Sequence, residues 1–289
     1  MIDVASERRS TLGEGPLWDH RVGRMLWVDI ADGAVNILTP SARSTERIEL
    51  GGCLALTNRV DTVVAALRSG WHWLDLATAE RRLITSLPAP ANCRFDDGAV
   101  DAVGRFWTGT LQDGERKPVG ELFQLNPDLS HRAMDSGFLC SNGIAWSLDG
   151  RWMFFVDSRR DAIYRYRFDR ETGAIEDREL FIDTRPFSGI PDGIEIDLDG
   201  LLWCALWDGA RVVAFDHQGV PRHTIDVPAL RPTSVTFGGP DFRTMYITSA
   251  RMGLTPRELT AWPASGALFA LERRVPGRPA NVFGCTSAR

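Results

Sequence analysis

The sequence predicts an all-β chain, folded as a six-bladed β-propeller with four-stranded antiparallel blades. Three observations carry that expectation. A short apolar strand recurs six times: MLWVDI (25–30), TVVAAL (62–67), FWTGTL (106–111), MFFVDS (153–158), LWCALW (202–207) and MYITSA (245–250). With Trp27, Val64, Trp107, Phe155, Trp203 and Tyr246 as landmarks, the intervals are 37, 43, 48, 48 and 43 residues. A period of this length suits one four-stranded unit per repeat. Gly-centred turns lie before several of these strands (Val103-Gly104, Asp149-Gly150, Asp199-Gly200), and Asp-Gly between apolar runs is a strong hairpin signal. The ten tryptophans and many β-branched residues suit sheets buried on both faces.

Repeat four shows the unit in order. Residues 143–147 read as a first strand, 148–151 as a hairpin turn, 152–157 as a second strand and 162–168 as an alternating third. Arg170-Glu171-Thr172-Gly173 then turns the chain into an outer strand near 178–182. The turn glycines recur where the backbone needs positive φ. The aromatic landmarks are expected to pack between blades. Repeat six offers strands at 233–237, 244–249 and 267–273 but little fourth strand, so residues 2–8 are assigned to complete it. Such closure removes two exposed sheet edges. Helical periodicity is weak, with 256–262 the best short candidate. The repeat runs almost end to end through 289 residues, which argues for one domain spanning 1–289.

Composition narrows the function classes. The chain is 44% hydrophobic and 25% charged, with net charge −5 and no broad basic stripe, so nucleic acid is not an expected partner. No apolar run approaches the roughly 18 residues that cross a bilayer, so no membrane partner is expected either. The N-terminal stretch MIDVASERRSTLGEG lacks a signal peptide's basic leader and apolar core, and a cytoplasmic location is expected. Five cysteines (Cys53, Cys93, Cys140, Cys204, Cys285) include no CxxC pair; they read as buried or idle thiols. No HxH, HExxH, G-x-S-x-G, P-loop or GxGxxG motif occurs, so nothing specific supports covalent or nucleotide chemistry.

The functional signal is a set of pairs upstream of the landmarks: Glu14-Gly15, Asp97-Gly98, Asn142-Gly143 and Asp192-Gly193. They precede Trp27, Trp107, Phe155 and Trp203 by 13, 10, 13 and 11 residues, counted from the first member. A propeller brings such positions to one mouth of its central channel. Repeats two and six place Cys53-Leu54 and Thr233-Ser234 there instead, so the scaffold does not demand an acid. Glu14, Asp96, Asp97 and Asp192 would set up to four carboxylates around the channel, with Arg94 nearby. At about 4 Å two like charges repel by about 4 kcal/mol at an effective dielectric of 20. Such a cluster calls for protonation, cations or a metal, and two carboxylates with an amide suit a hard divalent ion. The alternative reading is a ring of solvated carboxylates capping loops.

The stretches LGEGPLW (12–18), CRFDDGAVDAVGRFWTGTL (93–111), SNGIAWSLDG (141–150), IPDGIEIDLDGLLWCALW (190–207), FGG (237–239) and YITSARMGL (246–254) carry a resemblance. The chain is similar to the senescence marker protein/regucalcin, gluconolactonase and luciferin-regenerating family of six-bladed propellers. That resemblance implies one divalent metal (Ca2+, Zn2+, Mg2+, Mn2+ or Fe2+) held by Glu14, Asn142 and Asp192. It also implies a small-molecule sugar lactone as substrate, opened by water to the aldonic acid. Arg94 matches the family's substrate-contacting arginine and Asp97 the second acid of its Arg-Phe-Asn-Asp-Gly run. Asp96 stands where the family commonly has Asn, adding a negative charge at the mouth. The loop 112–119 should overhang the site, with Glu115 a candidate contact.

On this reading Asp192 is the general base, Asp97 an acid or water-orienting group, and Arg94, Asp96 and Glu115 contact substrate. The ring is expected to work as a monomer or weak dimer. The rivals are a phosphotriesterase-like hydrolase on the same metal and a non-catalytic metal-binding propeller.

Overall fold

The computed structural model describes residues 1–39, 43–47, 51–90 and 92–284, and in them the six-bladed propeller is observed. Blade 1 is built from Gly13–Asp19, Arg24–Asp29, Ala34–Leu38 and Arg43–Arg47; blade 2 from Gly51–Thr57, Thr62–Leu67, Gly70–Asp75 and Arg81–Ser86. Blade 3 comprises Cys93–Val100, Phe106–Gln112, Gly120–Leu125 and His131–Phe138. Blade 4 comprises Ser141–Trp146, Trp152–Asp157, Ala162–Phe168 and Ile175–Asp183; blade 5 comprises Ile190–Ile196, Leu202–Trp207, Arg211–Phe215 and Pro221–Asp226. Blade 6 has Arg231–Gly238, Thr244–Ala250 and Leu268–Glu272, and its outer strand is Asp3–Ser6, antiparallel to Leu268–Glu272. The first strand of each blade packs against the first strands of both neighbours, closing a ring around the channel. The Thr233 hydroxyl, donating to the Gly13 carbonyl at 2.5 Å, joins blade 6 to blade 1.

The landmark positions lie on second strands; all but the partly buried Tyr246 are buried, and Trp107, Phe155 and Trp203 are almost wholly enclosed. In blades 3 and 5 a buried aspartate explains both turn and tryptophan. Asp101 accepts from the Val103 and Arg105 amides and from the Trp107 indole at 3.0 Å. Asp197 does the same for the Asp199 and Leu201 amides and for the Trp203 indole at 2.8 Å. One side chain thereby ties the hairpin turn to the core. The turn glycine Gly150 has φ +69°, as the hairpin requires. A short helix, Pro256–Ala261, is set by a capping box between Thr255 and Glu258.

Residues 276–284 cross the far end of the channel. They bond to Leu198 of blade 5, Phe242 of blade 6, Trp146 of blade 4 and Val100 of blade 3. Val282–Phe283 then runs parallel to Leu56-Thr57 of blade 2. The four described cysteines Cys53, Cys93, Cys140 and Cys204 are free and buried; Cys285 lies outside the described residues. No helix among the described residues is long and apolar enough to cross a membrane.

Candidate active site

Every innermost strand breaks register at the same height. The shifts fall between Glu14 and Leu17, Gly51 and Cys53, Phe95 and Gly98, Ser141 and Ile144, Pro191 and Ile194, and Pro232 and Ser234. A bulge leaves a residue unpaired and re-aims its side chain. In blades 3, 4 and 5 the unpaired residues are Asp96-Asp97, Asn142-Gly143 and Asp192-Gly193.

This register corrects the equivalence obtained by counting from landmarks. Gly98, Ile144 and Ile194, the first paired residues after each bulge, face Thr108, Phe155 and Cys204. Trp107 and Trp203 are therefore one residue out of step with Phe155, and Asp96, not Asp97, is the counterpart of Asn142 and Asp192. The glycine that follows in blades 4 and 5 is there for a different reason. A Cβ on Gly143 would sit 2.6 Å from the Ile194 amide nitrogen, and one on Gly193 would overlap the Ser234 side chain. Each pair thus divides into one side chain for the mouth and one residue that lets neighbouring blades meet.

At the mouth lies a cavity of about 100 Å3 lined by Glu14, Arg94, Asp96, Glu115, Asn142 and Asp192, together with Ser158, Arg159 and Cys140. Leu12, Ile190, Pro191, Trp207 and Met252 complete its wall. Six of the seven residues singled out from sequence therefore converge. Asp97 does not line this cavity; it lines another, of about 160 Å3, further down the channel with Glu195 and Arg278. The bulge sends adjacent carboxylates toward two different spaces.

Burial and mutual repulsion dominate the mouth's electrostatics. Glu14 is pushed well above the usual carboxylate range by burial, then by the charges of Asp192, Asp97 and Asp96. Asp192 is likewise pushed well up by burial, then by Asp96 and Asp97. Asp96 is raised by burial despite its ion pair with Arg94. Arg94 also donates to the Phe95 carbonyl at 3.0 Å, which fixes its guanidinium at the wall. Glu115, in the left-handed region at φ +50°, pairs with Arg159 of the adjoining blade.

Two buried aspartates hold the strands that deliver Glu14 and Asn142. Asp29 accepts from the Thr11 and Leu12 amides at 2.8 and 3.0 Å, just before Glu14. Asp157 accepts from the Leu139 and Cys140 amides at 3.2 and 3.0 Å, just before Asn142. The Asn142 amide nitrogen donates to the Ser158 hydroxyl at 2.9 Å, so its carbonyl oxygen is the atom left for a ligand. Asp192 Oδ1 is buried without a hydrogen-bond partner. Among the described residues no three His, Cys, Asp or Glu side chains form a metal-binding group. The donor set is instead two carboxylates and an amide, hard oxygen ligands that fit a divalent cation. Such an ion would offset the repulsion between Glu14 and Asp192 and satisfy the orphaned oxygen.

Reasoning from the sequence missed Ser158, Arg159, Trp207 and Met252. The signal for the first three was their place at the C-terminal end of a second strand, level with Asp29 and Asp157. Burial first, then Asp96, Glu115 and Asp192, push the Cys140 thiol well up, which disfavours the reactive thiolate.

The geometry agrees with what the chain resembles. Residues 12–251 match the model of the SMP-30/Gluconolactonase/LRE-like region. The chain belongs to that family. It is 37% identical over 279 residues to a 6-deoxy-6-sulfogluconolactonase of Pseudomonas putida, covering 95% of each chain. It is 31% identical over 273 residues to the pentonolactonase XacC of Haloferax volcanii, covering 93% of each. Among solved structures, a calcium-binding protein, regucalcin, from Agrobacterium tumefaciens superposes with a TM-score of 0.92 at 27% identity, covering 97% of this chain and 96% of that one.

Proposed function

We propose that this family member is a metal-dependent sugar lactonase, converting an aldonolactone and water into the aldonic acid. The observation that carries the reading is the convergence of Glu14, Asn142 and the unpartnered Asp192 opposite Arg94 and Asp96 in one small cavity. Relatives that act on a sulfogluconolactone and on a pentonolactone support the substrate class.

Glu14, Asn142 and Asp192 would hold a divalent ion, which when bound supplies Lewis acidity toward the ester carbonyl and its developing oxyanion. Asp192 would share its work between its two oxygens, one toward the ion and the other orienting the attacking water and taking its proton. The Ser158 hydroxyl keeps the Asn142 carbonyl oxygen turned toward the same point. Arg94, braced by Asp96 and the Phe95 carbonyl, presents its remaining N–H groups to the carbonyl or a ring hydroxyl. Asp96 and the Glu115–Arg159 pair offer acceptors and donors to the other hydroxyls.

The test is proton release from a panel of pentono-, hexono- and sulfo-substituted lactones. Protein stripped with EDTA is re-metallated with Ca2+, Mg2+, Mn2+, Zn2+ or anaerobic Fe2+ and compared with a metal-only background. Acceleration restored by metal and confined to a few sugars is the expected outcome. Turnover of paraoxon outrunning every lactone would move the reading to a phosphotriesterase. No acceleration of any ester would leave a binding propeller.

A further inference from the structure

The apolar part of the mouth cavity's wall comes from one side. Blades 3 and 4 supply Arg94, Asp96, Glu115 and Arg159, whereas blades 5, 6 and 1 supply Trp207 and Met252 alongside the carboxylates Asp192 and Glu14. Trp207 is the large aromatic side chain of that wall. Four residues earlier on the same strand, Trp203 is buried, bonded to Asp197 and stacked on His223. Trp207 is only partly buried at the strand's mouth end, paired with Ile190 and packed on one side against the apolar cluster that includes Leu12.

Its ring is nevertheless held. The Arg231 guanidinium lies 4.8 Å from the ring centre. Arg231 is in turn fixed by Asp208 at 2.6 Å and by the Met252 carbonyl, and its side chain is only 15% exposed. A cation over an aromatic face is favourable, more so when shielded from water. A ring already immobilised loses little further freedom when a ligand packs on it.

We propose, resting on the lactonase reading, that Trp207 is a stacking platform for the substrate ring. The hydroxyl edge of the sugar then faces Arg94, Glu115 and Arg159, and its C–H face lies on the indole. Trp207 would thus be a specificity-determining residue, and the substrates selected are lactones with one ring face free of projecting hydroxyls. An epimer that turns a hydroxyl onto that face would desolvate it against an apolar ring with no partner.

The experiment compares Trp207→Ala and Trp207→Phe with the parent protein across a series of epimeric aldono-lactones, with metal saturating. For the preferred epimer Trp207→Ala should raise KM about five- to tenfold with kcat within about twofold, and Trp207→Phe should stay near the parent. The ratio of kcat/KM between best and worst epimers should collapse in Trp207→Ala. Should that variant fail to fold by circular dichroism, Trp207→Leu, apolar but without a ring, makes the same comparison. A loss of kcat at constant KM, or an equal loss for every epimer, would overturn the platform while leaving the lactonase intact. Absence of any lactone turnover by the parent protein would instead remove the reading on which the platform rests.

Discussion

The two ends of the channel are built from the same six strands and treat charge in opposite ways. At the mouth, Glu14, Asp96 and Asp192 are concentrated with one unpartnered carboxylate oxygen among them. At the far end, residues 276–284 run across five blades and bring Arg278 to the lower cavity, where it faces Glu195 and Asp97. Arg278 lowers the cost of ionising Glu195, which burial otherwise raises. A bound cation would relieve the carboxylates of the mouth; at the far end the chain's own Arg278 eases Glu195, while Asp97 stays raised. Asp96 and Asp97, neighbours in sequence, lie on either side of that divide. The scaffold therefore fixes where a bulge falls, and the side chain placed in the bulge decides which end it serves.

The comparison breaks most visibly at Asp192. If the mouth is the reactive end, Asp192→Asn should lower kcat by at least about a hundredfold while leaving the far-ultraviolet spectrum unchanged. Retention of more than about a tenth of kcat under saturating metal would remove Asp192 as the proton acceptor. Glu14→Gln should act earlier, on metal affinity. Titration calorimetry should find binding weakened by about tenfold or more, since a charged oxygen donor is replaced by a neutral one. Unchanged affinity would take Glu14 out of the ligand set.

Legibility in the sequence followed the same divide. Periodicity delivered the blades because second strands are buried on both faces and have to be apolar; the segments 152–157 and 162–168 are reproduced residue for residue. Glu14, Asn142 and Asp192 stood out because an acid or amide followed by glycine is not something a packed strand requires. Asp97 was placed at the mouth because counting assumed that Trp107 and Phe155 are equivalent, and a one-residue offset in strand register is invisible without the pairing. Arg159 and Trp207 escaped because they are joined to the site only by the ring's closure. The strap at 276–284 carries no periodic signal: its bonds go to turns and strand ends of five different blades.

The far end is the place to test stability without chemistry. Phe283 is buried against Trp73, with ring centres 5.9 Å apart, in the apolar cluster between blades 2 and 3 that includes Trp71, Phe95 and Phe123. Phe283→Ala should cost about 3–4 kcal/mol of unfolding free energy in a denaturant titration. At a temperature where the variant is folded, kcat should not change. A fall in kcat matching the fall in stability would mean that the strap also shapes the mouth.

The smallest effect expected is at Asp97, and its sign is fixed by protonation. Burial, then Asp96 and Glu195, raise its carboxyl from 3.8 to about 7, against a favourable 2.7 Å bond from the Gly98 amide. Between those values the folded protein keeps a proton that the unfolded chain releases, so stability falls as pH rises through the window. Above about pH 7 the full cost is present; below about pH 4 it vanishes. Asp97→Asn keeps the acceptor for Gly98 and carries no charge at any pH. It should match the parent near pH 4 and exceed it at pH 8 by about 1–2 kcal/mol, short of the full conversion because the carboxyl borders a cavity it shares with Arg278. A stability difference independent of pH would show that the carboxyl's charge is not the cause. A drop in kcat for this variant would place Asp97 back among the groups that serve the mouth.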